Sequence, residues 1–204
     1  MPRKAPGRGD QLRIAIAEEA ARIMSEQGIQ DFGFAKRKAA ERYGVTEGSA
    51  LPRNTEVEAA LMARQRLFGG ENHEQSLASQ RRIALKAMQL LARFEPRLVG
   101  AVLSGSATPH SDIQLHVFSD SLESISLHLM DRGVEYEVFE RRLRLQAERQ
   151  VNVPSVRFDL HDEVVEAFVF PQDGIRQAPT SPVDGRPMRR AGMAEVEALL
   201  TQGP

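Results

Sequence analysis

Hydrophobic and polar positions divide the chain into a helical first third and a mixed remainder. Up to residue 70, apolar residues recur at the three- and four-residue spacing of amphipathic helices. The predicted helices span residues 10–28, 34–43 and 55–68. We expect residues 1–9, rich in Pro, Gly, Lys and Arg, to be a disordered tail, and residues 10–70 to form a helical N-terminal region. The pair Gly69-Gly70 is the predicted joint, followed by an α/β domain over residues 71–204.

The second part of the pattern mixes helical spacing with the alternation of strands. A long helix over residues 72–94 leads into an apolar run at 98–103, which we interpret as a strand, and Asp112 opens a second strand. The further predicted elements are a helix at 121–132, a strand at 134–145, a hairpin of strands 155–160 and 163–170, a loop at 172–190 and a helix at 193–200. The fold class predicted is therefore α+β, with a mixed β-sheet flanked by helices.

The segment from Leu98 to Ser119 contains the order of residues that most suggests chemistry. A Gly105-Ser106 turn separates the two predicted strands, and successive side chains of a strand point to opposite faces. Asp112, Gln114 and His116 therefore share one face, and the apolar residues between them share the other. We expect the apolar face to pack and the polar face to hold a ligand, with His116 a solvent-facing or capping residue or, less favoured, a ligand.

This order resembles the signature of the nucleotidyltransferase superfamily that includes DNA polymerase beta and many small bacterial enzymes. The resemblance covers roughly residues 75–170 and implies that Gly105 and Ser106 contact the phosphates of a nucleoside triphosphate. It also implies that Asp112 is the first magnesium ligand and that Gln114 takes the place of the second carboxylate. A neutral amide is a weaker ligand for Mg²⁺ than a carboxylate, so this position departs from the pattern.

The third carboxylate of that pattern falls on a later strand, where Glu166 interrupts the apolar run VVEAFVF. A hairpin turn of two or four residues places Glu166 on the same face as Arg157 and Asp159. A carboxylate in such a strand needs compensation. Either a metal shared with Asp112 or an ion pair with Arg157 supplies it, and both alternatives stay open at this point. Asp159 is a candidate catalytic base.

The C-terminal loop carries three arginines, Arg186, Arg189 and Arg190, beside the last helix. Because a guanidinium group matches phosphate oxygens in a fork, these residues are candidates for holding a triphosphate or an RNA backbone. A soluble tail is the equal alternative.

Composition limits the function classes. The chain has no cysteine, which excludes disulfides, thiolate catalysis and cysteine zinc sites. It also has no apolar run long enough for a membrane span or a secretory signal, so we expect the cytoplasm as its compartment. Net charge is −1, but residues 1–70 carry 12 basic and 9 acidic residues, a local +3. Lys36-Arg37-Lys38 within this region is a candidate basic patch or a solvated helix face.

Three functions follow from these patterns. The first is a nucleotidyltransferase that uses Mg²⁺ to transfer a nucleotidyl group from a nucleoside triphosphate to an acceptor such as RNA or a protein. The second is a catalytically inactive module of the same fold that binds a nucleotide, RNA or a protein. The third is a DNA-binding regulator, because a helix followed by a turn and the segment KRKAAERYGV resembles the start of a helix-turn-helix motif. The expected recognition helix contains Pro52, which disfavours a helix, so DNA is the less favoured partner.

Overall fold

The computed structural model describes residues 7–45, 51–145 and 150–201, and it confirms the α+β class. A helical N-terminal region precedes a five-stranded mixed sheet flanked by helices. The chain forms two compact units, one of residues 1–73 with segments 108–110 and 182–184, the other of residues 74–107, 111–181 and 185–204. Within the described ranges, none of the helices combines the length and the apolar character that a membrane crossing requires.

Within residues 7–45 and 51–69, the helical unit forms three α-helices and a π-helical turn: α1 (Arg8–Gln27), α2 (Phe32–Arg42), α3 (Asn54–Arg64) and the turn Gln65–Gly69. Gly28 ends α1 in the left-handed conformation, with φ 67°, and the Asp31 side chain caps α2 by accepting from the Phe34 amide. The helices enclose a small core of aliphatic and alanine side chains. Its fully buried members are Ile16, Ala20, Ile23, Ala35, Ala39 and Val57.

One prediction for this unit needs correction. Helix α1 begins at Arg8 and not at Asp10, so the expected disorder is wrong for Arg8 and Gly9, which form the first turn. The rest of that prediction, for residues 1–6, lies outside the described residues. At the predicted joint, Gly69-Gly70, α4 (Gly70–Leu90) begins directly after the π-helical turn, and the two compact units divide nearby, between residues 73 and 74.

The sheet unit continues from α4 through a 3₁₀ turn at Ala92–Phe94 into the strands. Its elements are β1 (Arg97–Val99), α5 (Gly100–Ser104), β2 (Ile113–Phe118), α6 (Leu122–Asp131), β3 (Glu137–Arg144), β4 (Gln150–Leu160), β5 (Glu163–Phe170), a 3₁₀ turn (Gln172–Arg176) and α7 (Met193–Thr201). The strand order is β1-β2-β5-β4-β3. Only the β2–β5 pair is parallel, and the other three pairs are antiparallel.

One face of the sheet supplies the larger core. Side chains of α4, α6 and α7 pack with it, and the alternation of each strand decides which residues take part. Buried residues from the strands on this face are Leu98, Ile113, Leu115, Val117, Val156, Phe158, Val165, Ala167 and Val169. The alternation predicted for β2 and β4 is confirmed on this side.

The apolar run at residues 98–103 is only partly a strand. Strand β1 ends at Val99, and the next five residues form α5, so the prediction of one strand up to the Gly105-Ser106 turn is wrong. Periodicity does not distinguish a short buried strand from a buried helical turn. Gly100 makes the change of direction possible because it takes φ 71°, which favours glycine.

The hairpin of β4 and β5 has the register that the sequence predicts. Its turn consists of His161 and Asp162, both with positive φ (50° and 66°), as in a two-residue type I′ loop. Arg157 therefore lies directly opposite Glu166 on the same face of the sheet.

A matched pair of leucines in α6 tests the assignment of its buried side. Leu129 is fully buried against the sheet and Leu127 is mostly exposed. We expect Leu129→Ala to lower the free energy of unfolding by about 2–5 kcal/mol, because it leaves a cavity, and Leu127→Ala to change it by less than about 0.5 kcal/mol. Urea unfolding of both variants measures this, and equal losses would contradict the orientation of the helix.

Candidate functional site

A polar row crosses the second face of the sheet. Gln114 on β2 lies opposite Glu166 on the parallel strand β5, and Glu166 lies opposite Arg157 on β4. Asp112 immediately precedes β2 and shares the face of Gln114 by alternation. The structure therefore brings together three of the predicted residues, Asp112, Gln114 and Glu166, on neighbouring strands.

Two arginines hold the Glu166 carboxylate. Arg141 on β3 donates from Nη2 to Oε2 at 2.7 Å, and Arg157 donates from Nη2 to Oε1. Glu166 is fully buried, whereas the two arginine side chains are 43% and 44% exposed. The hydrogen bond to Glu166 raises the pKa of Arg157. Both carboxylate oxygens thus accept charge-assisted hydrogen bonds, the stronger class in proteins.

Sequence reasoning missed Arg141 and Phe139 as part of this cluster. Both guanidinium groups lie near the Phe139 ring, with Cζ of Arg141 at 5.8 Å and Cζ of Arg157 at 5.3 Å from its centroid. The alternation of β3 places Phe139 and Arg141 on one face of the strand. This much could be predicted from the sequence. The pairing of β3 with β4, which aligns this face with Glu166, was not readable from the sequence. We call these four residues, Phe139, Arg141, Arg157 and Glu166, the arginine clamp.

The other predicted carboxylates lie at one end of the sheet. Asp112 is half-buried, and its negative charge adds to burial in raising the pKa of Glu163. Asp159 is exposed on β4, opposite Val164. Within residues 7–45, 51–145 and 150–201, no three His, Asp or Glu side chains are grouped so that they could hold a metal ion.

The predicted phosphate turn has a different setting from the one expected. Gly105 ends α5 with φ 89° instead of joining two strands, and the buried Ser106 hydroxyl lies 2.9 Å from the hydroxyl of Ser104. The turn that directly follows β1 is at Gly100, where an added Cβ would lie 2.6 Å from Oε1 of Gln114. Gln114 therefore packs against the glycine at the strand-to-helix turn.

The three tail arginines do not form a common cluster of contacts. Arg190 turns towards the sheet, where Nε donates to Nδ1 of His116 at 2.9 Å and Nη1 donates to two carbonyls of the 3₁₀ turn. Arg189 pairs with Glu195 of α7, and Arg186 is exposed in the loop, where its carbonyl accepts from the Ser181 amide. Arg190 thus contacts the second face of the sheet. Its position in the sequence of the loop did not predict this contact.

His116 is fully buried, so the expectation of a solvent-facing or capping histidine is wrong. Its ring packs against Phe168 and Phe170 at centroid distances of 5.8 and 4.6 Å, and the Arg190 guanidinium lies over Phe118 and Phe170. Burial, assisted by the Arg190 charge, lowers the pKa of His116 to about 3. Since Nδ1 accepts the Arg190 hydrogen bond, the neutral ring carries its proton on Nε2.

Comparison with known proteins adds no relative to this description. No protein-family model matches the chain, and no curated protein and no solved structure is significantly similar to it.

The arginine clamp leads to a prediction about stability. Arg141→Ala together with Arg157→Ala leaves Glu166 as an unpaired buried charge, and breaking such a pair costs about 3–5 kcal/mol of unfolding free energy. We expect the lower end of this range because the guanidinium groups are nearly half exposed. Urea unfolding gives the value. Adding Glu166→Gln to the double variant should restore much of the loss, and no restoration would contradict a compensating role for the arginines.

The burial of His116 leads to a prediction about how the free energy of unfolding depends on pH. Its folded-state pKa of about 3 lies below the ordinary 6.5, so between these values the unfolded chain binds a proton that the folded chain does not. Stability from this residue is complete above about pH 6.5 and falls by up to about 1.4 kcal/mol per pH unit below it. We expect the difference in unfolding free energy between the native chain and His116→Leu to move in favour of the variant from pH 6.5 to 4. A pH-independent difference would contradict this.

Proposed function

We propose that the chain is a nucleotidyltransferase-like protein that binds a nucleotide and does not transfer it. One observation carries the second half of the proposal: both oxygens of Glu166 accept hydrogen bonds from arginines, and the residue is fully buried. The carboxylate that the resemblance assigns to the metal is therefore engaged within the protein. Gln114, opposite it, supplies a neutral amide in place of the second carboxylate.

The arrangement of elements supports the first half. Helix α4 leads through one short turn into β1, a glycine turn follows β1, and Asp112 opens β2. Glu166 lies on the strand that pairs with β2 in parallel. The resemblance implies a helix before β1, an acidic residue at the start of β2 and a carboxylate on a later strand, and α4, Asp112 and Glu166 are at these positions. It assigned the glycine turn to Gly105 and Ser106, whereas the glycine that directly follows β1 is Gly100.

Magnesium does not fit the donors at this site. Mg²⁺ requires near-octahedral oxygen coordination and is usually held by one or two carboxylates together with substrate phosphates. Here Glu166 already accepts from both clamp arginines and Gln114 is neutral, so two of the three positions that the resemblance assigns to the metal do not offer it a charged oxygen. The chain's own residues thus favour binding without metal-assisted transfer.

The arginine clamp supplies the chemistry for a nucleotide. Each guanidinium group has five N–H donors, and the bond to Glu166 uses one terminal nitrogen of each. Their nearly half-exposed surfaces therefore keep donors for phosphate oxygens. Phe139, half-buried beside both groups, offers an aromatic surface to a base. Glu166 holds the two cations in place before a ligand arrives, which reduces the entropic cost of binding.

Active transfer is the second candidate, favoured by the position of Asp112 directly before β2 and of Glu166 on the adjacent parallel strand β5. It requires that Glu166 leave both arginines and coordinate metal with Asp112. The two candidates differ in one product, because transfer of a nucleotidyl group releases pyrophosphate.

Thermal melting with each nucleoside triphosphate, with and without Mg²⁺, tests the proposal beside a pyrophosphate assay. A nucleotide at about 100 times its dissociation constant adds about 2.7 kcal/mol of stability. We expect at least one nucleotide to raise the melting temperature without Mg²⁺, and no pyrophosphate to form.

Arg141→Gln should abolish the rise in melting temperature, whereas Arg142→Gln should keep it. Arg142 is the matched control, since it is the next residue of β3 and points to the opposite face. Pyrophosphate release that requires Mg²⁺ and Asp112 would establish the second candidate instead. No rise with any of the four nucleotides would overturn nucleotide binding.

A further inference from the structure

The exposed face of α2 in the helical unit presents one aromatic ring between two cations. At 100° per residue, Phe34 lies at the centre of this face, with Arg37 and Lys38 on either side. The Phe34 side chain is 47% exposed, and the Lys38 ammonium lies 5.8 Å from its ring centroid. The opposite side of the helix, with Ala35, Ala39 and Ala40, is buried in the core. We call Phe34, Arg37 and Lys38 the α2 face.

Four arginines of this unit, among them Arg42 at the end of α2, differ in their pairing from the run Lys36, Arg37 and Lys38. Each of the following binds at least one carboxylate: Arg13, Arg22, Arg42 and Arg64. By contrast, Lys36, Arg37 and Lys38 make no salt bridge with any carboxylate of the described residues. Lys38 instead donates to the side-chain oxygen of Gln27 at 2.6 Å.

Nearby acidic groups offset the cations of this helix only in part, although the charges of Asp31 and Glu56 both act on Lys36. Asp31 is occupied as the cap of α2, and Glu41 lies one turn beyond Lys38. From Asp31 to Tyr43 the chain has four basic and two acidic residues, a net +2 in a protein of net −1. Three consecutive cations that form no salt bridge with a carboxylate of the described residues repel one another, and a polyanion would relieve that repulsion.

We propose that the α2 face binds single-stranded nucleic acid. Arg37 and Lys38 neutralise backbone phosphates, and the exposed ring of Phe34 stacks with a base. This combination of cations that follow the backbone and an aromatic surface is the one that single strands require. A duplex keeps its bases stacked inside and offers no base face to Phe34, so the central aromatic residue favours the single strand. This site belongs to the helical unit and goes beyond the function proposed for the sheet.

Fluorescence anisotropy of the full chain with three labelled probes tests this inference. The probes are a 16-nucleotide oligouridylate, a 16-nucleotide oligothymidylate and a 16-base-pair duplex, titrated between 50 and 200 mM salt in steps, roughly the range over which counterion release is measured. We expect both single strands to bind more tightly than the duplex, with affinity that falls as salt rises.

Three variants separate the contributions of charge and stacking. Arg37→Gln and Lys38→Gln should each reduce the salt slope by about 0.7, the value for one lost phosphate contact on a single strand. Phe34→Leu should weaken binding about tenfold at every salt concentration and leave the slope unchanged. Arg66→Gln is the matched control, since this exposed arginine of the same unit lies outside the α2 face, and its slope should equal that of the native chain.

Several results would overturn the inference. They are the absence of binding at 50 mM salt, tighter binding to the duplex, or equal effects of Arg37→Gln and Arg66→Gln. The nucleotide experiment is independent of this result, because Arg141→Gln should leave oligonucleotide binding intact and Arg37→Gln should leave the nucleotide-dependent melting intact. Circular dichroism of each variant confirms that the helices are retained.

Discussion

The compensation of one buried carboxylate is the constraint on which the sheet depends. Glu166 lies in β5, a strand with neighbours on both sides, where an isolated charge would cost several kcal/mol. Its two partners come from β3 and β4, so the side chains connect three strands in addition to the backbone hydrogen bonds. An aliphatic residue at this position would pack without needing a charge partner. Stability alone therefore does not explain a carboxylate here, and a functional reason has to be considered as well.

The same contacts decide how the second face is used. Towards one end of the sheet it is polar, with Asp112, Gln114 and the arginine clamp; further along it is closed by His116, aromatic side chains and Arg190. For the nucleotide that we propose, the two guanidinium groups of the clamp provide donors that match phosphate oxygens, in contrast to the metal chemistry that a full set of carboxylates supports.

Local patterns in the sequence predicted much of the fold. The hairpin register followed from strict alternation and a two-residue turn, and the opposition of Arg157 and Glu166 followed from that register. The helix after Val99 was missed because an apolar run fits either structure. The environment of His116 and the reach of Arg141 were not predictable, since both depend on segments distant in sequence: the loop that carries Arg190, and strand β3.

The two edges of the sheet are protected in different ways. Strand β1 has three residues, and its outer side is hydrogen-bonded to Ala191 in both directions. Strand β3, at the other edge, is rich in charged residues, with Arg141, Arg142, Arg144 and Glu140 within five positions. Charged residues on an edge strand discourage pairing with a strand of another molecule. The arginine of β3 that holds Glu166 therefore also belongs to the series of charges that keeps this edge from seeding aggregation.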